Sequence, residues 1–341
     1  MKPIESLTDL EDQLSAPTEG AIETLRAIEG DVLILGAGGK MGPTLARMVR
    51  RAADQLGQRR RVIAVSRFSK ASAVAELSRH GVETIACDLT DRAAVERLPD
   101  APNVLFLAGQ KFGTADAPEL TWVMNTLVPA IVAERYARSR MVVFSTGCVY
   151  PLVPVESAGA READPLGVLG EYAASCVGRE RIFTHFSAQN ATPVLLFRLS
   201  YAIDLRYGVL LDVARKVAAG EPVDVTMGWA NVIWQGDANA RAIQALALTA
   251  APPRALNVTG LEKVSIRKLA HTFARLLARA PRIVGEEAPT AWLFDATRSF
   301  AHFGPVRVSL EEMIAATAHW VQSGGETLGK PTHFEARDGT F

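Results

Sequence analysis

Asp31-Val-Leu-Ile-Leu-Gly36-Ala-Gly38-Gly39-Lys40-Met41-Gly42-Pro-Thr44 is the stretch that decides the fold: four consecutive apolar residues break into closely spaced glycines and then into a helical pattern. A run such as Val32–Leu35 is of the kind found in a parallel strand covered on both faces. Gly36 lets the chain turn sharply. Gly39 leaves room for backbone to approach a pyrophosphate, and Gly42 lets the following helix pack close to the strand. Leu45, Met48, Val49, Ala52 and Leu56 then recur at i, i+3, i+4, i+7 and i+11, one apolar face of a helix whose free N-terminal amides favour an anion. A glycine triplet alone is a weak signal, and a purely structural turn is the alternative. The strand before it and the helix after it supply the context that a dinucleotide-binding turn requires.

Working outward, apolar runs recur between helical stretches at 62–65, 84–87, 104–107, 141–144, 194–197 and 256–258. That alternation predicts an α/β fold with a doubly wound parallel sheet. Helical patterns fill 120–137, 168–190 and 236–249. Residues 1–29 read as a helical extension, with Ile22, Leu25 and Ile28 spaced for packing. Residues 30–200 and 228–260 are assigned to a dinucleotide-binding Rossmann domain. Residues 201–227 and 261–341 carry helices beyond what one sheet needs and are assigned to a smaller substrate-binding lobe and tail. The final residues, 329–341, read as irregular, wrapping either the surface or a subunit partner.

Composition narrows the class. The chain has 341 residues, 48% hydrophobic and 22% charged, enough for a large core. Lys plus Arg and Asp plus Glu are both 37, which gives no general electrostatic reason to expect nucleic acid or an anionic membrane. No apolar run approaches the ~20 residues of a membrane span. The first 29 residues, with Glu5, Asp9, Glu11 and Asp12, are too acidic for a signal peptide, so the expected location is cytoplasmic. Cys87, Cys148 and Cys176 have neither disulfide-framework nor zinc spacing, and the 6 histidines are dispersed; reduced thiols and no metal are expected.

Several motifs in order resemble the extended short-chain dehydrogenase/reductases, the NAD-dependent epimerase/dehydratase family, over about residues 31–260. GxxGxxG is met by Gly36, Gly39 and Gly42, the post-strand DL by Asp88-Leu89, the LAA/LAG by Leu107-Ala108-Gly109, and the helix Asn by Asn125. Phe144-Ser145-Thr146-Gly147-Cys148-Val149-Tyr150 resembles the family's catalytic strand end, with Pro151 in place of its Gly. The Tyr of YxxxK falls on Tyr172; its Lys is replaced by Cys176. Asp88, just past a strand, reads either as an acceptor for an adenine amino group or as a helix cap. Ala108 and Gly109 leave room for a ribose against the backbone, or are simply small residues in a tight loop.

The 2′-end of the cofactor is set after the second strand. An NAD enzyme normally offers an Asp or Glu there, whereas a 2′-phosphate calls for Arg and hydroxyl donors. Ser66 and Arg67, helped by Ser69, Lys70 and Lys40, favour NADP over NAD; the alternative is that Arg67 is a solvated surface charge.

The resemblance implies hydride transfer coupled to proton transfer through Tyr172. A phenol has a reference pKa of about 10 and needs a nearby cation to act as a base near neutrality, which the family's Lys supplies. In the family that Lys also anchors the nicotinamide ribose, and Cys176 does neither job well. Lys111 just after the fourth strand, projecting toward the cofactor as one of its binding residues, the oxidised nicotinamide itself, or a site kept only for binding are the three alternatives. Thr146 is the expected hydroxyl partner of Tyr172, with Ser145 one position earlier as the fallback. Gly147 and Cys148 replace the Asp-Glu pair of the family's sugar-nucleotide dehydratases, which argues against dehydration.

In the substrate region Tyr201 stands where nucleotide-sugar enzymes carry Asn, which weakens the case for a nucleotide sugar. Cys148, Tyr201, Asn231 and Trp234 are the substrate candidates, since Trp and amide side chains suit a carbohydrate ring. Core packing is the alternative for Trp229 and Trp234, and a helix cap is the preferred reading of Asp237. Glu171 projects away from Tyr172 and is left outside the catalytic set. The expectation is an NAD(P)-dependent oxidoreductase or epimerase acting on a hydroxyl or carbonyl of a sugar or sugar-like acid, as a homodimer. A non-catalytic dinucleotide-binding sensor or assembly protein is the rival.

Overall fold

The computed structural model describes residues 1–111, 113, 117–330 and 332–339. One parallel sheet contains β1 (Val32–Leu35), β2 (Val62–Ser66), β3 (Glu83–Ala86), β4 (Asn103–Phe106), β5 (Arg140–Thr146), β6 (Val194–Leu199) and β7 (Arg254–Val258). Its 7 strands run in the spatial order β7-β6-β5-β4-β1-β2-β3.

The continuous apolar runs arise because helices cover both faces of this sheet. Val32 and Ile34 point to one side, with Val62, Ala64, Leu105, Val142, Phe144, Leu195 and Phe197. Leu33 and Leu35 point to the other, with Ile63, Val65, Val104, Phe106, Met141, Val143 and Leu196. The period of two that divides the side chains between the faces is the ordinary pleat of a strand. β5 and β6 extend beyond the predicted runs because Ser145 and Thr146 stay in register with Arg198 and Leu199. That polar extension carries the site.

The N-terminal extension forms α1 (Leu7–Leu14), closed by a Ser6–Asp9 capping box, and α2 (Glu19–Ala27), capped by Thr18. Ala21, Leu25 and Ile28 pack α2 against the first face of the sheet, with Ile22 at the margin. α1 instead sends Leu10 and Leu14 into a second core. Its Glu11 and Asp12 pair with Arg47 at 3.0 and 2.7 Å, on α3 (Gly42–Gln55), so the extension is bonded into the fold.

The long helix α4 (Gly170–Asn190) follows β5. The second core is built from α5 (Val209–Ala219), α7 (Ile266–Leu276) and α8 (Leu310–Gln322), with Trp234 just before α6 (Gln235–Gln244). The tail wraps its own chain. Phe334 is buried in that second core, Glu335 pairs with Lys216 at 3.1 Å, and the Thr332 amide donates to Asp212 at 2.8 Å. Residues 331, 340 and 341 of the tail lie outside the described residues. Among the described residues no helix is long and apolar enough to cross a membrane.

Candidate active site

β1 pairs with both β2 and β4, so strand order reverses on either side of it and the crevice at its carboxyl end lies at a topological switch point. The glycine turn sits there, and each glycine has its own reason. Gly36 has φ +86°, and a Cβ on it would stand 2.5 Å from the Ala108 amide nitrogen. A Cβ on Gly38 would meet Ser66 Oγ at 2.5 Å, and one on Gly42 would lie 2.2 Å from the Ala37 carbonyl oxygen, which holds α3 close to the turn. Gly39 differs: a Cβ there would meet only the Gly36 carbonyl oxygen at 3.5 Å, so this side of the backbone is open to an approaching group. α3 has Met41 at its N-cap with no side-chain cap, and no acid in its first turn, leaving the amides there, other than the proton-less Pro43, available to an anion.

The loop after β4 is pinned from beneath. The Leu107 amide donates to the Leu35 carbonyl at 2.8 Å. Asn125 lies on a π-helical turn, Val123–Leu127, a form of bulge that re-aims a side chain. Its Oδ1 accepts from the Gln110 amide at 3.0 Å, and its Nδ2 donates to the Gln110 carbonyl and to Ser175 Oγ, both at 2.9 Å. At the end of β2, Ser66 lies against the turn and Arg67 is exposed. The Asp88 carboxylate accepts from the Thr90 amide and hydroxyl at 3.0 and 2.8 Å; these bonds hold it below the usual carboxylate range, and Arg67 adds to the effect. Asp91, not Asp88, caps the following short helix, so the cap alternative for Asp88 is corrected. Leu89 is buried in the core beneath the sheet, leaving only its backbone to a ligand.

Lys40 also departs from expectation. Its ammonium donates to the Ala202 carbonyl at 2.5 Å and lies 4.4 Å from the Tyr207 ring centroid, on the β6 side of the site and away from Ser66 and Arg67. Burial lowers its pKa to about 8, opposed by the nearby Asp204.

Tyr172, in the first turn of α4, and Thr146, at the end of β5, bring their side chains within hydrogen-bonding reach of each other. The Cys176 thiol, one turn further along α4, lies within the same reach of Tyr172. The Cys148 amide donates to Thr146 Oγ1 at 3.2 Å. Burial dominates the protonation of this cluster. It pushes the Tyr172 phenol well above its ordinary value, the Cys176 thiol up to about 11, and the Cys148 thiol up. Both thiols are therefore neutral near pH 7, and the phenol holds its proton.

Ser145 is corrected as the fallback. Its hydroxyl donates to Glu180 at 2.6 Å inside a buried network and is turned away from Tyr172. Lys111 does enter the site. Burial holds its ammonium below the usual lysine range, against the opposite pull of Cys148, Asp212 and Cys176, and it donates to the Thr332 carbonyl at 3.5 Å. Glu171 accepts from Trp122 Nε1 at 2.5 Å, outside the cluster.

Tyr201 takes a left-handed backbone, φ +39°, an uncommon conformation for a bulky residue. Burial raises its phenol pKa, and Cys148, Tyr207, Glu335 and Asp212 act on it in the same direction. Asn231 and Trp234 are corrected. The Asn231 amide is consumed structurally, Nδ2 donating to the Glu262 carbonyl and Oδ1 accepting from the Phe294 amide, each at 3.0 Å. Trp234 is 1% exposed in the second core. Trp229 packs at the edge of the cluster that contains Tyr172, Tyr150 and Trp292. Asp237 lies inside α6 and accepts from the Arg307 and Val308 amides at 3.1 and 3.2 Å, so it anchors the approach to α8 and does not cap its own helix.

Sequence reasoning overlooks Arg179, Tyr207 and Asp212. Arg179 is 5% exposed; its Nη1 donates to the Phe144 carbonyl at 2.7 Å and its Nη2 donates to Asn125 Oδ1. The available signal was its phase, since it follows Cys176 by three residues and Tyr172 by seven on one helix face.

A family model described as the NAD dependent epimerase/dehydratase family matches residues 32–236. No curated protein matches the sequence. Among solved structures, MoeE5 in complex with UDP-glucose and NAD is 21% identical, with TM-score 0.70, covering 86% of this chain and 99% of that one. The UDP-glucose 4-epimerase of Thermus thermophilus in complex with NAD is 20% identical, with TM-score 0.69 and the same coverages. Streptomyces venezuelae DesIV, a dTDP-glucose 4,6-dehydratase, is 16% identical, with TM-score 0.73, covering 86% of this chain and 97% of that one.

Proposed function

The chain belongs to the NAD dependent epimerase/dehydratase family, and from that premise we propose that it is an NADP-dependent oxidoreductase or epimerase acting on a hydroxyl or carbonyl of a sugar or sugar-like acid. The observation that carries this reading is the apposition of Tyr172 and Thr146 at the end of β5, beside an intact glycine turn. Of the structures that resemble it, one holds NAD together with UDP-glucose and another is a UDP-glucose 4-epimerase with NAD, which supports the reaction class.

The residues fit a dinucleotide. The open side of Gly39 and the uncapped start of α3 suit a diphosphate, the Ala108-Gly109 backbone suits a ribose, and Ser66 with Arg67 suits a 2′-phosphate. Bound there, the cofactor supplies a hydride donor or acceptor. The protein's own part is proton movement and positioning. Tyr172 gives a proton to a substrate carbonyl oxygen or takes one from a hydroxyl, and Thr146 orients that oxygen. Cys148, Tyr201 and Lys111 line the substrate side. Lys40 belongs on that side too, and Asn231 and Trp234 are withdrawn from it.

The choice of NADP rests on the absence of an acid after β2 and the presence there of exposed Arg67. Equilibrium titrations are expected to show NADPH binding at least about tenfold tighter than NADH, with Arg67→Ala removing most of the difference, about 1.4 kcal/mol. Tighter binding of NADH would reverse the assignment.

The proposed assembly is a homodimer. Leu120, Trp122 and Leu127 are large apolar residues 44%, 40% and 46% exposed on the helical segment packed beside α4, a surface that supports pairing between copies. Sedimentation should return a dimer, and Trp122→Glu should shift it toward monomer; a monomer in the unsubstituted protein refutes the assembly.

A further inference from the structure

A buried phenol needs a nearby positive charge to transfer protons near neutrality, and the neutral Cys176 thiol supplies none. Lys111 is one candidate for that charge. It lies beside Asp212, whose carboxylate offsets it, and it is held to the tail at Thr332. A second cation, Arg179, lies on α4 itself, three residues after Cys176. We propose that Arg179 supplies the positive charge of the Tyr172 site, standing one helical turn behind Cys176 and making a lysine at position 176 unnecessary. This inference rests on the functional reading above and names the group that serves it.

Geometry carries the assignment. Tyr172, Cys176 and Arg179 occupy one face of α4 at i, i+4 and i+7, the face turned toward β4 and β5. The Arg179 guanidinium is clamped by the Phe144 carbonyl at 2.7 Å and by Asn125 Oδ1. A Cβ on Gly109 would stand 2.2 Å from Arg179 Nη2, so the glycine is what admits the guanidinium beneath the loop proposed to seat the ribose. Asn125 links the parts: it holds Gln110 of that loop, Ser175 of α4 and Arg179 together.

The absence of a counter-ion gives the argument its weight. Both hydrogen-bond partners of Arg179 are neutral oxygens, and among the described residues it forms no ion pair. Glu180, the adjacent carboxylate, is instead committed to Arg198 at 2.7 Å. The Arg179 Nε is buried with no hydrogen-bond partner. Burying a cation without a counter-charge is expensive. A permanent guanidinium charge held in a low-dielectric site acts strongly on its neighbours, and here it acts on Tyr172 and Cys176, favouring the deprotonated form of each. Arg179 is thus a positioning residue that works through Tyr172.

The test compares Arg179→Gln, which retains a donor without the charge, with Arg179→Lys, which retains the charge. In cofactor-free protein, the Tyr172 phenol is titrated by ultraviolet difference spectroscopy, with Tyr172→Phe as the blank. Arg179→Gln should move the titration at least one pH unit higher, the equivalent of 1.36 kcal/mol, and Arg179→Lys should move it less. In the cofactor-loaded enzyme the alkaline rise of the oxidation rate should move up by the same amount, and Cys176→Lys added to Arg179→Gln should move it back. If Arg179→Gln does not fold, the same comparison is made between Arg179→Gln and Arg179→Lys in the Cys176→Lys background. An unmoved titration, or no rescue by Cys176→Lys, overturns the assignment. Because the titration needs neither cofactor nor turnover, it stands or falls separately from the proposed reaction.

Discussion

Tyr172→Phe is expected to lower turnover by about 10²- to 10⁴-fold while leaving dinucleotide affinity within about a factor of two. The substitution removes one oxygen, keeps the ring packed in the cluster with Val149, Trp292 and Trp229, and deletes the hydroxyl proposed to exchange a proton with substrate beside Thr146. The sign of the pH dependence follows from burial. With its pKa raised, the phenol is protonated through the neutral range and ready to donate, so carbonyl reduction should be flat near neutrality and fall on the alkaline side. Alcohol oxidation needs the phenolate, so its rate should rise with pH, about tenfold per unit below the phenol's pKa. A variant rate within about threefold of the unsubstituted enzyme would remove Tyr172 from the mechanism.

The second large effect lies in the network beneath the site. Glu180→Ala should cost about 3–5 kcal/mol of stability, because it leaves Arg198 charged, buried and unpaired. Glu180 Oε1 accepts from Ser145 Oγ at 2.6 Å and Arg198 Nε at 2.9 Å, and its Oε2 accepts from Arg198 Nη2 at 2.7 Å. Arg198 Nη1 donates to the Tyr150 hydroxyl, which donates to Asn257 Oδ1 at 2.8 Å. Three strands and one helix, β5, β6, β7 and α4, are thus joined through one buried network. Denaturant unfolding should show the loss, and Glu180→Met combined with Arg198→Met should recover much of it, since an apolar pair leaves no orphaned charge. A loss below about 1 kcal/mol for Glu180→Ala would show that water or another anion satisfies Arg198.

The parts of this molecule that were legible in the sequence are those where one physical cause writes one pattern. A strand covered on both faces must be apolar throughout, and Val32–Leu35 is. A glycine that no Cβ can replace stays a glycine, and Gly36 and Gly42 are such positions. Direction, by contrast, is not written in spacing. Lys40 reads, from its place in the glycine turn, as help for the 2′-end, and the fold sends it to Ala202 instead. Asn231 and Trp234 sit in a polar and aromatic run that reads alike whether it faces a pocket or a core; the distant Glu262 and Phe294 backbone decide for the core. Arg179 escapes notice because an arginine on a helix is usually solvated, and only the sheet packed against α4 shows that this one is buried. The tail was opaque because its contacts, such as Thr332 with Asp212, are long-range and leave no period.

The most direct test of the account is a turnover screen of the dinucleotide-loaded protein against free sugars, sugar acids and nucleotide sugars, each deuterated at every oxidisable carbon. Products and cofactor are read by mass spectrometry. The account predicts that at least one sugar or sugar acid yields a ketone with deuterium transferred to the nicotinamide, or a stereoisomer of the starting compound, and that Tyr172→Phe abolishes the signal. Tight dinucleotide binding with no transfer and no stereoisomer from any member of the panel would contradict it, and would mark the protein as a binding module whose cofactor does no chemistry.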